Sequence, residues 1–428
     1  MVKANQSKKK TVEDKPKNHT YSLATIKKII NQAVNNDCSL RKTVESFKLF
    51  CPDEKRYPSH TTVHNWIMKL GSGSYLKRPK KKKYHAYIID ATIEFGQEKL
   101  LLILGVPKEV HAAEKHCLTY QDVDVLYIKV MKKINSTFIL DVLQITSAKH
   151  GIPVQIIADH GSDIKKGIED FCSENSEVTY TYDITHHNAI SLKHILTKDE
   201  NWAPFYSECG LCRRRLLNTD FIAYAPPVSR DKSRHLNLER YIRWVDNILY
   251  VSGHKNNRQC PEFQKHFGWV KKFEKSFKIW RQLIAILHSS KVEMIHNGLS
   301  SKTLNNILPS IESELYPQSQ QILTKINEYC EKETQNLSEG QTWLCCSDII
   351  ESIFGRFKRY ARRAPMRDIS RMAMAIPIFT SQFSVAKMKT IFEFKTVEKT
   401  LKWVRNNMGE TMTSKRRKVF RIKRLNKT

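Results

Sequence analysis

The stretch HAYIIDATIEFG, residues 85–96, decides the predicted fold, because this short and mostly apolar run suits a buried β-strand. The stretch KLLLILGVP, residues 99–107, follows it and is predicted to be its hairpin partner. A third strand is predicted at 123–130, and a helix at 135–150 whose natural C-cap is Gly151. The pattern of strands followed by a helix favours a mixed α/β domain.

The chain then returns to the predicted sheet. Residues 153–158 are predicted to form a buried strand that leads into Asp159-His160-Gly161-Ser162-Asp163. A helix to about Cys172 and a strand at 177–183 complete the pattern. Ligands of open α/β sheets gather beyond the carboxyl ends of the strands, so the residues that follow these strands are candidates for a functional site.

Two aspartates stand out in this sheet. Asp90 lies inside the first strand, where an unpaired charge is costly, and Asp159 follows the fourth strand. A structural salt bridge would explain Asp90, but two carboxylates on adjacent strands also suit Mg²⁺ or Mn²⁺. Asp163 is a competitor for the second acid, although it is predicted to be the N-cap of the following helix.

A third carboxylate comes from DIIESIFGRFKRY, residues 348–360. As a helix, this stretch places Glu351 and Lys358 near one face, because seven residues make about two turns. Its isoleucines and phenylalanines form an apolar stripe on which the helix can pack. One interpretation is an ordinary amphipathic helix with a solvated face; the other is a metal ligand beside a contact to a DNA phosphate.

The N-terminal region is predicted to contain three helices, starting near residues 22, 39 and 59, the third ending near Gly71. Two helices, a connector and a third helix outline a helix-turn-helix. A small bundle for protein contacts is the alternative, but the basic run LKRPKKKK at 76–83 favours DNA. The residues predicted to face the major groove are Thr61, Thr62, His64 and Asn65.

Composition supports a polyanionic partner. The 428 residues include 72 Lys and Arg against 43 Asp and Glu, a formal net charge of +29. Such an excess of cations favours binding to nucleic acid with little sequence demand. No apolar leader or membrane span is predicted. The ten cysteines have no framework spacing, which indicates a reducing compartment, and Cys209-x-x-Cys212 has no second pair at zinc-finger spacing.

Residues from about 195 to 345 break the α/β rhythm and are predicted to be helical, with the tryptophans at 244, 269 and 280 mostly in the core. Arg213, Arg214 and Arg215 are either a phosphate clamp or simply exposed. The chain closes with KRRKVFRIKR, residues 415–424, a basic segment suited to non-specific DNA contact.

Asp90, Asp159 and Glu351, in this order and with Lys358 seven residues after the glutamate, resemble the acidic triad of the DDE transposases, RNase H-like recombinases that also include the retroviral integrases. The N-terminal helices, the helical insertion before the glutamate and the basic C-terminus match many transposases. The long separation of Asp159 from Glu351 departs from the integrases and indicates an insertion-bearing type.

The resemblance implies a multidomain α/β protein with an N-terminal helix-turn-helix and an RNase H-like mixed α/β catalytic domain interrupted by an all-α insertion. The corresponding boundaries are 1–18 for a disordered basic tail, 19–75 for the helix-turn-helix, 76–84 for a basic linker, 85–195 and 346–400 for the catalytic core, 196–345 for the insertion and 401–428 for a basic tail.

The resemblance also implies a chemistry. Asp90, Asp159 and Glu351 would hold two Mg²⁺ or Mn²⁺ ions that promote DNA cleavage and strand transfer. The residues expected to contact DNA phosphates are Lys358, Arg359 and Arg356. His186 and His187 follow the predicted strand that contains Asp183, and they either orient phosphate or water as auxiliary residues or have a purely structural role.

The expected partners are double-stranded DNA, as element ends and as target, and further copies of the chain in a dimer or larger assembly. The alternatives are a structure-selective nuclease or resolvase with the same fold, and an inert domesticated DNA-binding protein. The protein is expected in the bacterial cytoplasm, associated with the nucleoid. If the source is eukaryotic, the nucleus is expected instead.

Overall fold

The computed structural model describes residues 15–36, 38–52, 56–76, 82–95, 98–228, 237–258, 260–362, 369, 371–394 and 396–425. They form two compact units. The first unit runs to Tyr180 and resumes at Ser347, and the second unit is Thr181–Cys346.

A five-stranded mixed sheet forms the centre of the first unit. Its order is β3-β2-β1-β4-β5, with β1 antiparallel to β2, β2 antiparallel to β3 and β1 parallel to β4. The mixed α/β class predicted from the sequence is therefore confirmed. The strands are β1 Tyr84–Phe95, β2 Glu98–Pro107, β3 Asp124–Met131, β4 Gln155–Ala158 and β5 Thr179–Tyr182.

Five helices of the first part of the chain lie close to where the sequence predicts them, and a short helix at Lys108–Ala112 was not predicted. Asn135 caps the helix after β3 by accepting a hydrogen bond from Phe138 N at 3.0 Å, and Gly151 ends that helix with φ of +91°. The helices are α1 Leu23–Val34, α2 Leu40–Phe50, α3 His60–Leu76, α4 Lys108–Ala112, α5 Ser136–His150 and α6 Ser162–Glu174.

One face of the sheet is covered by α5 and α6. Tyr87 and Ile89 of β1 and Ile156 and Ala158 of β4 contribute to this core, together with Phe171 of α6. Side chains alternate between the two faces of a strand, so Ile88 and Asp90 of β1 point to the other face.

The second unit is almost entirely helical and is organised around aromatic side chains. Trp280 is fully buried, and Trp202 and Phe205 pack on it with ring centroids 5.3 and 5.1 Å away. Trp244 and Trp269 are also buried, which confirms the prediction that these tryptophans belong to the core. The helices are α7 Ile184–Lys198, α8 Trp202–Leu216, α9 Leu238–Ser252, α10 Lys255–Arg258, α11 Pro261–Phe267, α12 Glu274–Asn297, α13 Thr303–Ile307 and α14 Pro317–Thr334.

The first unit resumes with five more helices. Among them, α15 packs against β1, and α16, α17 and α18 pack against α3. None of the helices in the described residues is long and apolar enough to cross a bilayer. The five helices are α15 Asp348–Ala361, α16 Ile376–Phe379, α17 Val385–Phe394, α18 Val397–Met408 and α19 Met412–Leu425.

The prediction that the third helix ends near Gly71 is wrong, because α3 continues to Leu76. A Cβ atom on Gly71 would lie 1.9 Å from the backbone oxygen of Met374, and one on Gly73 would lie 2.2 Å from Cγ2 of Ile391. The glycines therefore permit close packing against the C-terminal helices, and this packing outweighs the cost of about 1 kcal/mol for a glycine inside a helix.

Some predicted segments lie wholly or partly outside the described residues. This applies to residues 1–14 of the predicted N-terminal tail, 77–81 of the predicted linker and 426–428 at the C-terminus. The rest of the predicted C-terminal segment forms the end of α18 and α19. The domain boundaries derived from the sequence stay predictions.

Candidate functional site

Asp90 lies in β1, and Asp159 directly follows β4, the strand that pairs with β1. The parallel pairing of β1 with β4 matches Ala86 with Gln155 and Ile88 with Ile157. The same offset, carried two residues further along both strands, matches Asp90 with Asp159. Two residues along a strand restore the same face, so both carboxylates project from the face opposite the α5–α6 core.

Local hydrogen bonds orient both aspartates. Oδ1 of Asp90 accepts from the backbone N–H of Ala91 at 2.6 Å, and Oδ1 of Asp159 accepts from that of Gly161 at 3.1 Å. The carbonyl of Asp159 also accepts from the Tyr180 hydroxyl at 2.7 Å, which ties the end of β4 to β5. Both side chains are half-buried. Asp90 is therefore held within β1 and Asp159 directly after the end of β4, and both side chains keep access to solvent.

The third predicted acid, Glu351, lies on helix α15. Its apolar stripe, which includes Ile353 and Phe357, is buried, and the helix packs against β1. Because α5 and α6 fill the first face of the sheet, we infer that α15 covers the second face, from which Asp90 projects. Glu351 is exposed, and Lys358 is half-buried two turns further along the helix.

The donor chemistry of these three residues fits a hard divalent cation, because Mg²⁺ and Mn²⁺ prefer carboxylate oxygens. The side chains are not drawn together, however. Across the described residues, His, Cys, Asp and Glu form no group of three that is placed to hold a metal ion. The sheet and α15 thus supply the donors and their order, and a closer approach of the carboxylates would be needed to bind a metal.

The prediction that Asp163 is the N-cap of α6 is wrong. The N-cap of α6 is Gly161, and Asp163 is an exposed residue of the first helical turn. An acidic side chain at this position is favourable because it faces the positive end of the helix dipole. This placement gives Asp163 a local role that needs no metal.

Arg356, a predicted phosphate contact, is engaged with other parts of the first unit. Its guanidinium lies over the rings of Phe379 at 4.3 Å and Tyr120 at 5.1 Å, and Nη2 donates to Asn35 Oδ1 at 2.7 Å. The Tyr120 hydroxyl in turn lies 2.7 Å from Oγ of Ser352 on α15. These contacts join α15 to the end of α1 and to α16. No sequence signal pointed to them, because the partners are far apart in the chain.

Replacing Arg356 by methionine is expected to lower the free energy of unfolding by about 2 kcal/mol, because cation–π contacts and a charged hydrogen bond are lost. The matched control is Arg359→Met, which changes an exposed residue of the same helix and is expected to cost less than about 0.5 kcal/mol. Urea denaturation followed by circular dichroism measures both. Equal midpoints for the two variants would contradict the structural role of Arg356.

His186 and His187, the predicted auxiliary residues, lie in the first turn of α7 in the second unit. Asp183 caps this helix by accepting from the backbone N–H of His186 at 2.7 Å. The ring of His187 packs against Tyr329 at 4.8 Å, and burial lowers the pKa of His187 despite a hydrogen bond with Asn188 that raises it. Their predicted role in orienting phosphate or water stays a prediction.

The residues predicted to read DNA occupy the first turns of α3. Ser59 caps this helix by accepting from Thr62 N at 3.1 Å, as predicted. Thr61 is exposed, whereas Thr62, His64 and Asn65 are half-buried. From Trp66 to Ser74 every residue of α3 is buried. Only the N-terminal end of the predicted recognition helix is therefore accessible to a partner.

His64 carries no positive charge at neutral pH. Burial, followed by the nearby charges of Arg371 and His60, lowers the pKa of His64 from 6.5 to about 4. Any contact that His64 makes with DNA would accordingly be that of a neutral hydrogen-bonding group.

This shifted pKa predicts a pH-dependent stability. Between about pH 6.5 and 4 the unfolded chain binds a proton at His64 that the folded chain does not. The contribution of neutral His64 to the free energy of unfolding is therefore fully present above pH 6.5. It is lost as the pH falls towards 4, and the loss is at most about 3 kcal/mol. His64→Gln should reduce the fall in urea midpoint between pH 7 and pH 4.5. An unchanged pH dependence in this variant would contradict the assignment.

The Cys209-x-x-Cys212 pair is part of the core of the second unit. Both thiols are buried; burial raises the pKa of Cys212 to about 11 and that of Cys209 further still. Sγ of Cys212 donates to the carbonyl of His266 at 3.6 Å. Thiols with raised pKa values are poor zinc ligands, since zinc binds the thiolate.

The solved structures that are similar to this one include those of a transposase and of an integrase. No protein-family model matches the sequence, and no curated protein matches it. The structure is similar to that of the Drosophila P element transposase strand transfer complex, with 12% identity, a TM-score of 0.41, and coverage of 84% of this chain and 92% of that chain.

It is also similar to the catalytic core domain of HTLV-2 integrase in complex with magnesium (dimeric form). That match has 20% identity, covers 28% of this chain and 74% of that chain, and has a TM-score of 0.17. Because both TM-scores are low, the function of this chain has to be argued from its own residues.

Proposed function

We propose that this protein is a DDE-type DNA transposase that cleaves DNA at the ends of its element and joins them to target DNA. The observation that carries the proposal is the parallel register of β1 and β4, because its offset, extended by two residues, would bring Asp90 level with Asp159. The packing of α15, the helix that bears Glu351, on β1 also supports it. The net charge of +29 suits a partner as acidic as DNA.

In this proposal, Asp90, Asp159 and Glu351 hold two Mg²⁺ or Mn²⁺ ions. Such a pair of ions activates the attacking water or 3′-hydroxyl and stabilises the leaving oxygen. These three carboxylates are the groups of the chain that would hold the ions. Because the three side chains do not form a ready cluster, the proposal requires them to approach one another when DNA binds; catalytic contacts often tighten in this way.

The cationic residues of α15 would position the DNA. Lys358 lies two turns from Glu351 and Arg359 is exposed, so both suit contacts to phosphates next to the carboxylates. Arg356 is better explained as a structural residue, since its guanidinium already contacts Asn35 and two aromatic rings. The N-terminal helices would bind the element's ends.

Two ends must be handled together, which favours a dimer or a larger assembly. The protein would act where its DNA is, in the cytoplasm of a bacterium or in a nucleus.

The test is cleavage and strand transfer by the purified full chain, with duplex DNA carrying the element's own ends. Nicking that requires Mg²⁺ or Mn²⁺ and is followed by joining of the 3′-hydroxyl supports the proposal. Preference for branched duplexes without joining would indicate a resolvase instead. Binding without any cleavage would indicate an inert DNA-binding protein.

A further inference from the structure

A groove lies beside the accessible end of α3, between α2 and the connector that precedes α3. Its walls include the exposed cations Arg41 and Lys48 of α2 and Arg56 of the connector, with His60 at the start of α3. We call this feature the α2–α3 groove. It is open to solvent and carries more positive than negative side chains.

The positions of its cations suit an extended polyanion. Arg41 and Lys48 are seven residues apart, so they lie on the same face of α2 with a separation of about 10 Å along the helix. A single small anion cannot bridge that distance, whereas a DNA strand presents a charge every 3.4 Å or so along its axis. Arg56 contributes a cation from the opposite wall.

Contacts of Tyr57 help the groove to keep its shape, and they include a cation–π contact, since Nζ of Lys48 lies 5.8 Å from the centroid of the Tyr57 ring. The Tyr57 hydroxyl donates to the carbonyls of Cys51 and Pro52, at 3.2 and 2.9 Å. The Tyr57 ring packs on Phe47 of α2, with centroids 6.2 Å apart. Because Tyr57 is held in this way, its neighbour Arg56 is kept near α2.

One acidic residue, Glu45, also lines the groove. It is paired with Lys42 at 2.9 Å, on the exposed surface of α2. Its negative charge repels an approaching phosphate. Removing this charge should therefore strengthen DNA binding, whereas removing a cation of the groove should weaken it.

We propose that the α2–α3 groove binds the sugar–phosphate backbone of duplex DNA and so places the first turn of α3 against the bases. This inference deepens the DNA-binding part of the proposed function and rests on it. It assigns the electrostatic contacts to Arg41, Lys48 and Arg56, and leaves sequence reading to Thr61 and its neighbours. Backbone contacts of this kind fix the register of a protein on DNA.

The experiment measures the affinity of the full chain for a labelled duplex of the element's end by fluorescence anisotropy, without divalent metal, at several salt concentrations. The double variant Arg41→Ser/Lys48→Ser is expected to bind about 10- to 100-fold more weakly. The slope of log K against log salt should become shallower by about 1.8, or 0.9 for each lost phosphate contact. Arg56→Ser alone should make the slope shallower by about half as much as the double variant does.

Two controls make the result specific. Lys108→Ser/Lys149→Ser removes the same charge from exposed lysines near the end of the sheet where β1 begins, and should leave the slope within experimental error. Glu45→Gln should tighten binding about two-fold or more. Circular dichroism spectra confirm that each variant is folded.

A groove variant that keeps the wild-type slope, or a control double variant that loses as much slope, would overturn the inference. Because no metal is present, this outcome is independent of cleavage. If the groove variants lose binding but the wild-type chain never cuts DNA, the proposed transposase activity is refuted. The assignment of DNA binding to the α2–α3 groove then still stands.

Discussion

Asp90→Ala, Asp159→Ala and Glu351→Ala are each expected to slow metal-dependent DNA cleavage by about 10³-fold or more. Each substitution removes a carboxylate that the proposal assigns to a metal ion, and about 4 kcal/mol of lost transition-state stabilisation corresponds to this factor. The register of β1 with β4 and the packing of α15 on β1 lead to this expectation. Single-turnover cleavage of a labelled element end measures it.

DNA affinity should stay within about three-fold of wild type in the same variants, since none of them removes a cation that contacts phosphate. Matched controls are Asp163→Ala in the first turn of α6 and Asp348→Ala on α15, both expected to cleave normally. Cleavage that survives Glu351→Ala would show that α15 is only a packed helix. Loss of cleavage in Asp163→Ala but not in Asp159→Ala would show that the second metal-binding acid is Asp163 and not Asp159.

Gly71→Ala is expected to destabilise the first unit by about 3 kcal/mol or more. The added Cβ would lie 1.9 Å from the carbonyl oxygen of Met374, and a backbone atom cannot move aside as the tip of a side chain can. The residues from Met68 to Ser74 are all buried, so strain at Gly71 would extend to the contacts of α3 with α16 and α17. Urea denaturation measures the change.

The matched control is Gly355→Ala, which also replaces a helical glycine of the first unit. A Cβ there meets no atom within 4 Å, so the helix should gain about 0.5–1 kcal/mol. Opposite signs for the two substitutions would confirm that packing, and not helix propensity, explains Gly71. A Gly71→Ala variant as stable as wild type would contradict the close approach of α3 to Met374.

The sheet was predictable because its strands are short apolar runs that are buried in the structure. The sequence also predicted that Asp90 and Asp159 belong to adjacent strands, and β1 and β4 are neighbours in the sheet. The register of these strands could not be predicted, because it depends on contacts between distant segments. The length of α3 was not predictable from its sequence. A glycine at position 71 normally indicates the end of a helix, and only residues about 300 positions further along the chain show why it does not.

The environment of Arg356 was hidden for the same reason. Next to Lys358 and Arg359 in a basic helix, it has the composition of a phosphate contact. Its partners Asn35, Tyr120 and Phe379 come from three distant segments, and no local pattern links them. Side chains that serve a fold and side chains that bind a ligand are alike in type, and only their neighbours distinguish them.

The dependence of α3 on the last helices has a consequence for biosynthesis. A ribosome adds about 5–20 residues per second, so roughly 15–60 s pass between the emergence of Gly71 and that of Met374. During that interval the apolar surface of α3 has none of its C-terminal partners. A nascent chain of this protein is therefore expected to need a chaperone until the helices that cover α3 have been synthesised, and termination before Met374 should yield an aggregating product.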